Sequence, residues 1–319
     1  MKTTVCAFIN SIPPSARRSH KADLLINFIK GVNANKDSGK IYDSRYNRPV
    51  PVDVAVLQGW VHENSSRTPH LNFRRSIIKR QQDDNKNLIV IDSNLFGYNV
   101  DKLHPMMYHR FSMGGVFPTT ANYFDTIVDA TRWDKIATDL DIKVKPWRKL
   151  GSYILLCCQR NEGWSMKGLS VVDWIHQTVQ EIRKHTDRGI LVRAHPGDKH
   201  AHRYLRETKH KISNNKSIKK DFEKAWATIT YNSSPGVASA IEGVPLYVTD
   251  PIPQTSQAFA VANTDLSTIE SPQTFDRTDW LQRLAMCHWK MEELRNGDAW
   301  RHMKQFISDK EPYVTLGKK

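Results

Sequence analysis

The chain has 319 residues, which suits two domains of ordinary size, and 39% of them are hydrophobic, enough for packed cores. Its mean hydropathy of −0.56 argues against a membrane protein, and no apolar run approaches the ~20 residues of a spanning helix. The formal net charge is +14, which favours a polyanionic partner such as DNA, RNA or an acidic membrane surface.

The N-terminal residues and the cysteines indicate where the protein is found and which redox state its thiols have. Met1–Val5 leads directly into a strand-like run without a long apolar segment and cleavage site, so we expect a cytoplasmic protein with no membrane span. Cys6, Cys157, Cys158 and Cys287 have neither CxxC nor zinc-finger spacing, and we expect buried free thiols.

Strands alternate with helices through the first half of the chain, which predicts a parallel α/β layer. The predicted strands are 3–9, 41–43, 52–57 and 88–91, and the predicted helices are 23–32, 73–82 and 133–140. We interpret 108–125 as a loop that carries glycine and aromatic residues. Asp139-Leu140-Asp141 has the form of a DxD metal motif, but it lies at a helix end, so we predict no metal site there.

The second half carries the strongest pattern, between Gly189 and Asp250. Strands are predicted at 153–158, 190–193, 227–231 and 245–248, with an amphipathic helix at 171–185 and a basic helix within 200–220. The second of these strands ends on His195-Pro196, and the third ends on a Ser-Ser-Pro-Gly turn, 233–236, which opens a short helix.

Parallel strands of an open sheet bind ligands beyond their carboxyl ends, and a helix N-terminus with serine hydroxyls attracts anions. Arg193, His195, Ser233 and Ser234 all fall at such strand ends. We therefore expect them to gather around the diphosphate of a nucleoside diphosphate compound.

His195-Pro196, followed by the Ser-Ser turn and a helix that ends in Glu242-Gly243-Val244-Pro245, resembles the donor half of GT-B glycosyltransferases. Bacterial sialyltransferases and capsule Kdo transferases share these HP and SS motifs. The resemblance implies two Rossmann-like parallel-sheet domains that face a cleft. It also implies an acceptor domain at 1–145, a donor domain at 151–300, and a C-terminal tail at 301–319 that crosses back.

The resemblance implies a UDP-sugar or similar nucleotide sugar as the donor, without an essential metal or other cofactor. Arg160 and Lys167, after the first strand of the donor domain, are candidates for the donor phosphates, and Gly236 belongs to the serine turn. Glycosyl transfer also needs a general base. Asp92, Glu63 and His62 qualify in the first domain, and Asp92 is preferred because it directly follows an apolar strand.

Basic residues are concentrated in the first half, which holds 23 Lys and Arg against 14 Asp and Glu within residues 1–150. We expect DNA contacts from Arg17, Arg18, Arg45, Arg48, Arg67, Arg74 and Arg75. The leading interpretation is a monomeric phage enzyme, a hexosyl- or pentosyltransferase that modifies hydroxymethylated pyrimidines in DNA, such as 5-hydroxymethylcytosine. A GT-B transferase for capsule or lipopolysaccharide is the alternative, and a non-catalytic nucleic-acid-binding protein is the second.

Overall fold

The structure is a computed structural model, and it describes residues 2–43, 48–61, 65–99, 108–120, 124, 129–161 and 163–307. By their internal contacts these residues divide into two compact units, each with its own sheet. Unit 1 is drawn from Met1–Asn94, Lys102–Ile127 and Met286–Lys319, and unit 2 from Leu95–Asp101 and Val128–Ala285.

The described residues contain eleven strands and ten α-helices. The strands are β1 (Thr4–Phe8), β2 (Ser38–Tyr42), β3 (Val54–Gln58), β4 (Asn87–Asp92), β5 (Tyr108–Met113), β6 (Tyr153–Cys157), β7 (Gly189–Arg193), β8 (Lys211–Ile212), β9 (Ala225–Thr230), β10 (Leu246–Val248) and β11 (His288–Lys290). The helices are α1 (His20–Ala34), α2 (Pro69–Asp83), α3 (Ala130–Asp139), α4 (Val171–Ile182), α5 (Ala201–Tyr204), α6 (Ile218–Phe222), α7 (Pro235–Ile241), α8 (Thr278–Met286), α9 (Met291–Asn296) and α10 (Asp298–Met303).

The sheet of unit 1 has the order β11-β5-β4-β3-β1-β2. Its β2, β1, β3 and β4 are parallel, whereas β5 pairs antiparallel with β4, and β11 pairs antiparallel with β5 at the edge. Because β5 runs opposite to β4, the first residues of β5 lie at the carboxyl end of β4. Asp92, the last residue of β4, is paired with Arg110 in this register.

One face of this sheet is covered by α1 together with α9 and α10, from the far end of the chain. The apolar face of α1 is buried, as its spacing predicts, and Phe28 packs edge-on against Trp300 with ring centroids 6.0 Å apart. Trp300 Nε1 and Lys304 Nζ both donate to the Asp37 carboxylate, each at 2.8 Å. Residues from both ends of the sequence therefore build one core.

The sheet of unit 2 is parallel throughout the described strands, in the order β10-β9-β6-β7-β8. The chain moves from β6 to β7 and β8 on one side, and then returns to β9 on the other side of β6. The carboxyl ends of β6 and β9 thus form a topological switch point, where ligands of open α/β sheets bind. The prediction of two Rossmann-like α/β sheets is confirmed.

Three strands were missed from the sequence. β5 lies in the predicted loop 108–125, because its polar residues His109, Arg110 and Ser112 are buried. β8 lies in the predicted basic helix, and β11 lies between α8 and α9, where the sequence predicted no strand. The chain passes between the two compact units after Asn94, Asp101, Ile127 and Ala285, whereas the sequence predicted boundaries near 145 and 300. Residues 286–307 pack within unit 1.

The four cysteines are buried free thiols, as predicted. Burial raises the pKa of Cys6 and of Cys157 to about 12, so neither is an activated thiolate. In the described ranges, no helix has the length and apolar content needed to cross a bilayer.

Candidate anion site at the switch point of unit 2

The switch point is closed by a hydrogen bond between the segments that follow β6 and β9. The backbone N–H of Asn232 donates to Gln159 Oε1 at 3.1 Å, and the other end of the Gln159 amide donates to Ser165. Gln159 is buried. This bond places the Arg160 loop beside the Ser233–Ser234 turn, so the carboxyl ends of the two strands carry adjoining polar groups.

His195 follows β7 and has a defined hydrogen-bonding state. The backbone N–H of Gly197 donates to His195 Nδ1 at 3.0 Å, so the neutral ring carries its proton on Nε2. Burial lowers the pKa of His195, and the positive charge of Arg160 lowers it further, although Asp198 opposes both effects. The structure therefore favours a neutral imidazole that can donate one hydrogen bond from Nε2.

Arg160 lies against the His195 turn. A Cβ placed on Gly197 would come within 2.5 Å of Arg160 Nη2 and 3.1 Å of His195 Cε1, so both side chains border this glycine. Arg160 is exposed, and its guanidinium forms no hydrogen bond or ion pair to the described residues. It is a cation whose charge is available to a ligand.

Arg193 occupies a different environment from the one the sequence predicted. Its guanidinium forms an ion pair with Asp221, whose side chain is fully buried, and it also donates to the carbonyls of Asn215 and Lys216. Ser213 and Asn215 complete the shell of Asp221 at 2.6 Å each. The pairing neutralises Arg193 and makes it a support for the loop after β8 rather than an available cation.

Lys167 is also paired. Its Nζ lies 2.8 Å from Asp250 Oδ1, and the Asp250 side chain is fully buried. The Asp250 carboxylate further accepts from Asn232 Nδ2 and Thr255 Oγ1, each at 2.6 Å. Sequence reasoning missed this network, although Asn232 and Asp250 directly follow β9 and β10 and could have been found by the same strand-end rule as His195.

The serine turn supplies two hydroxyl groups before α7. Neither the Ser233 nor the Ser234 hydroxyl is engaged in a hydrogen bond within the described chain, and Ser234 is exposed. Gly236 has a packing role, because a Cβ there would lie 3.1 Å from Leu246 Cδ2 on β10. The two hydroxyls are therefore available to a ligand, whereas Gly236 brings the helix close to the sheet.

A cavity of about 520 Å³ adjoins His195, beyond the carboxyl ends of β7 and β8. Its charged and imidazole-bearing lining residues are Arg193, His195, Asp198, His202, Arg206 and Lys216. The size suits a small polar molecule, and the lining is predominantly basic. Asp198 is held by Tyr204 Oη at 2.6 Å and by the backbone N–H groups of Asn161 and His200, which lower its pKa although burial opposes them.

The predicted general bases lie in unit 1 or outside the described residues. Asp92 Oδ2 accepts from Arg110 Nη2 at 2.7 Å, and Oδ1 accepts from the backbone N–H of Ser93 at 2.8 Å. The Asp92 side chain is 31% exposed. His62 and Glu63 are outside the described residues.

The predicted DNA-contacting arginines differ in their exposure. Arg18, Arg48 and Arg67 are exposed, Arg17 and Arg75 are half-buried, and Arg45 is outside the described residues. Arg75 donates to the carbonyl of Ser66 and to Asn72 Oδ1.

Arg74 is a correction to that set. It is buried and donates to the carbonyls of Trp60 and Ser11, at 2.8 and 2.7 Å. Its guanidinium joins two loops below the surface, where a small anion fits more readily than the backbone of a duplex.

No protein-family model matches the chain, and no curated protein sequence matches it. Solved structures do resemble it. The Thermosulfurimonas dismutans KpsC structure titled beta Kdo 2,7 transferase has a TM-score of 0.53 and 12% identity, over 94% of this chain and 99% of that one. The beta Kdo 2,4 transferase structure of the same protein has a TM-score of 0.51 and 13% identity, over 97% and 99%. These likenesses show that the chain has the GT-B fold.

Proposed function

We propose that this protein is a glycosyltransferase that takes a sugar from a nucleotide-sugar donor and transfers it to a carbohydrate acceptor of a bacterial surface glycan. The observation that carries this proposal is the anion site at the switch point of unit 2. There a neutral His195 with a free Nε2–H, the available Arg160 cation and two serine hydroxyls follow adjacent strands. The nearly complete overlap with two structures titled Kdo transferases supports the same class of reaction.

The proposed chemistry is stabilisation of a leaving nucleotide. When the bond between the sugar and the phosphate oxygen breaks, negative charge develops on the phosphate. Arg160 supplies a positive charge and His195 Nε2–H a hydrogen bond, and the hydroxyls of Ser233 and Ser234 add two donors. Because protein groups supply these contacts, we propose that transfer continues in the presence of a chelator. The nucleoside would occupy the basic cavity beside His195.

The chemical class of the acceptor is the more specific part of the proposal. The two similar structures are those of Kdo transferases, which favours the carbohydrate acceptor over the DNA acceptor that the net charge of +14 suggested. The burial of Arg74 argues against one predicted DNA contact. Asp92 remains the proposed general base, and His62 and Glu63 remain predictions.

The experiment offers the protein a panel of UDP- and CMP-sugars with two acceptor classes and measures products by mass spectrometry. The acceptors are methyl glycosides and duplex DNA that contains 5-hydroxymethylcytosine or 5-hydroxymethyluracil. Transfer to a glycoside that is lost in His195→Ala and kept in His176→Ala supports the proposal, because His176 is an exposed histidine on α4. Transfer only to DNA overturns the acceptor assignment. Absence of transfer with every donor, or equal transfer in both variants, contradicts the proposed role of the site.

A further inference from the structure

A group of arginines and histidines lies at the carboxyl edge of the sheet of unit 1, around Asp92. We call it the Arg74 cluster, and its members are Arg17, His20, His70, Arg74, His109 and Arg110. The His20 and His109 ring centroids are 6.2 Å apart, and Arg110 is 2.7 Å from Asp92. The charge of Asp92 acts on the pKa of both Arg74 and His109, and those of Arg74 and Arg17 act on His70.

Arg74 is the most deeply engaged guanidinium of the cluster. It is 6% exposed, and it joins the loops after β1 and β3 through the carbonyls of Ser11 and Trp60. Gly59, with φ +77°, gives the second loop the room to approach, since a Cβ there would be 3.3 Å from Arg74 Nη1. Nε of Arg74 has no hydrogen-bond partner, and no carboxylate of the described chain lies within ion-pair distance.

His109 and Arg110, which lie near Arg74, also have buried nitrogen atoms without a hydrogen-bond partner among the described residues. His109 and Arg110 are each 6% exposed, and His109 Nδ1 and Arg110 Nε have no hydrogen-bond partner in the described chain. Arg17 Nε also has no partner in the described chain. Buried polar groups of folded proteins nearly always have partners, so four orphaned atoms in one cluster require an explanation. Arg74 and Arg110 use other nitrogen atoms in hydrogen bonds, and the four atoms without a partner lie at one sheet edge. Their proximity favours a bound ligand that supplies hydrogen-bond acceptors.

The charges indicate what that ligand is. The cluster contains three guanidinium groups, and the carboxylate in direct contact with it is Asp92, which is bound to Arg110. Asp23 lies near His20 and acts on its pKa, but Lys21 offsets it. A compact anion with several oxygen atoms would supply both the missing acceptors and the missing negative charge. The carboxyl edge of an open α/β sheet is also where such ligands bind.

We propose that the Arg74 cluster is a binding site for a compact anionic group, a carboxylate or a phosphate. The site needs only unit 1. It rests on the proposed function in one respect, namely that the anionic group belongs to the sugar acceptor, which the cluster would hold close to Asp92. An acidic acceptor would explain why the cluster is rich in arginine, since a guanidinium binds a carboxylate or phosphate through two parallel hydrogen bonds.

The test is calorimetric titration of inorganic phosphate at constant ionic strength. All variants carry His195→Ala, which weakens the phosphate site proposed in unit 2 by removing its imidazole donor. We expect phosphate binding to persist in this background and to weaken at least tenfold when Arg74→Gln or Arg110→Gln is added. Arg80→Gln is the matched control, because Arg80 lies on α2 with Arg74 but forms its ion pair with Asp84 near the surface. It should bind phosphate as the background does.

Circular dichroism and the melting temperature establish that each variant is folded. If Arg74→Gln does not fold, the phosphate titration is made with Arg110→Gln and His109→Gln instead. Phosphate affinities that are equal in all variants, or no binding in the His195→Ala background, would overturn the site.

Competition identifies the source of the anion. Methyl glucuronide that displaces phosphate, with no displacement by methyl glucoside, indicates an acidic sugar acceptor, whereas no displacement by either indicates free phosphate. A protein that binds phosphate here but transfers no sugar would refute the proposed function and leave this site standing.

Discussion

One histidine side chain in each unit has a lowered pKa. Burial lowers the pKa of His109 to about 4, and the nearby His20 contributes, whereas Asp92 opposes the shift. The pKa of His195 is also lowered, by burial and by Arg160. Both imidazoles are therefore neutral near pH 7, one as part of the Arg74 cluster and the other as a donor for the leaving nucleotide.

His109 makes the stability of unit 1 depend on pH. The unfolded imidazole titrates near 6.5 and the folded one near 4, so the unfolded chain binds the extra proton between these values. The contribution of His109 to the free energy of unfolding is about 3 kcal/mol above pH 6.5, and it is lost as the pH falls towards 4. His109→Gln should flatten this interval in urea unfolding curves measured from pH 4 to 7. An unchanged slope would contradict the assignment.

Arg160 should control the basicity of His195. Its positive charge lowers the pKa of the imidazole, so Arg160→Met should raise that pKa, as measured by the NMR chemical shift of the ring Cε1 proton during a pH titration. Arg203→Met is the control, because Arg203 is an exposed cation on α5. A shift of equal size in both variants would show that net charge, rather than the proximity of Arg160, sets the value.

At the scale of elements, close packing of α1 against α9 depends on one glycine. A Cβ on Gly31 would lie 2.0 Å from the carbonyl oxygen of Leu294 and 2.8 Å from the Cα of Gly297. Both atoms belong to backbone and cannot move aside as a side chain would. Gly31 therefore sets the distance at which the last helices approach the first one.

Gly31→Ala should destabilise unit 1 by roughly 1–3 kcal/mol or more, because overpacking at a rigid contact forces the helices apart. The measurement is the free energy of unfolding in urea. Gly115→Ala is the control, since a Cβ on Gly115 would have no heavy atom within 4 Å. A Gly31 variant as stable as the Gly115 variant would show that α9 adjusts without cost.

The strands that sequence analysis found are those with continuous apolar runs, such as β4 and β6, because burial on both faces leaves a clear signal. It missed β5, whose His109 and Arg110 are polar yet buried. The reason for their burial becomes visible only in the structure, where they lie beside Asp92 and Arg74. It located His195 and the serine turn from their positions after strands. It could not foresee that Asp221 neutralises Arg193, because that pairing depends on how α6 packs.

At the scale of the whole molecule, unit 1 is assembled from both ends of the sequence. β11, α9 and α10 supply Trp289, Leu294, Trp300 and Met303 to a core whose other buried residues lie between Val5 and Met113, apart from Cys287 and Ala299. Unit 2 takes its described elements from a nearly continuous segment. The two units therefore differ in how much of the sequence each needs in order to fold.

A chain that ends at Met286 should lose the fold of unit 1 and retain that of unit 2. Removal of the later residues exposes the apolar face of α1 and leaves β5 without its neighbour β11. Limited proteolysis followed by mass spectrometry should show rapid cleavage within 2–94 and protection within 153–248, with the full chain as the reference. Equal protection of both segments would contradict this dependence.

The same arrangement bears on how the protein is made. A ribosome releases the segments of unit 2 before it has synthesised Trp289 or Trp300, so the N-terminal strands must wait, incompletely covered, until synthesis is almost finished. During that interval the exposed α1 face is a natural substrate for chaperones, and slow translation of the last codons would prolong its exposure.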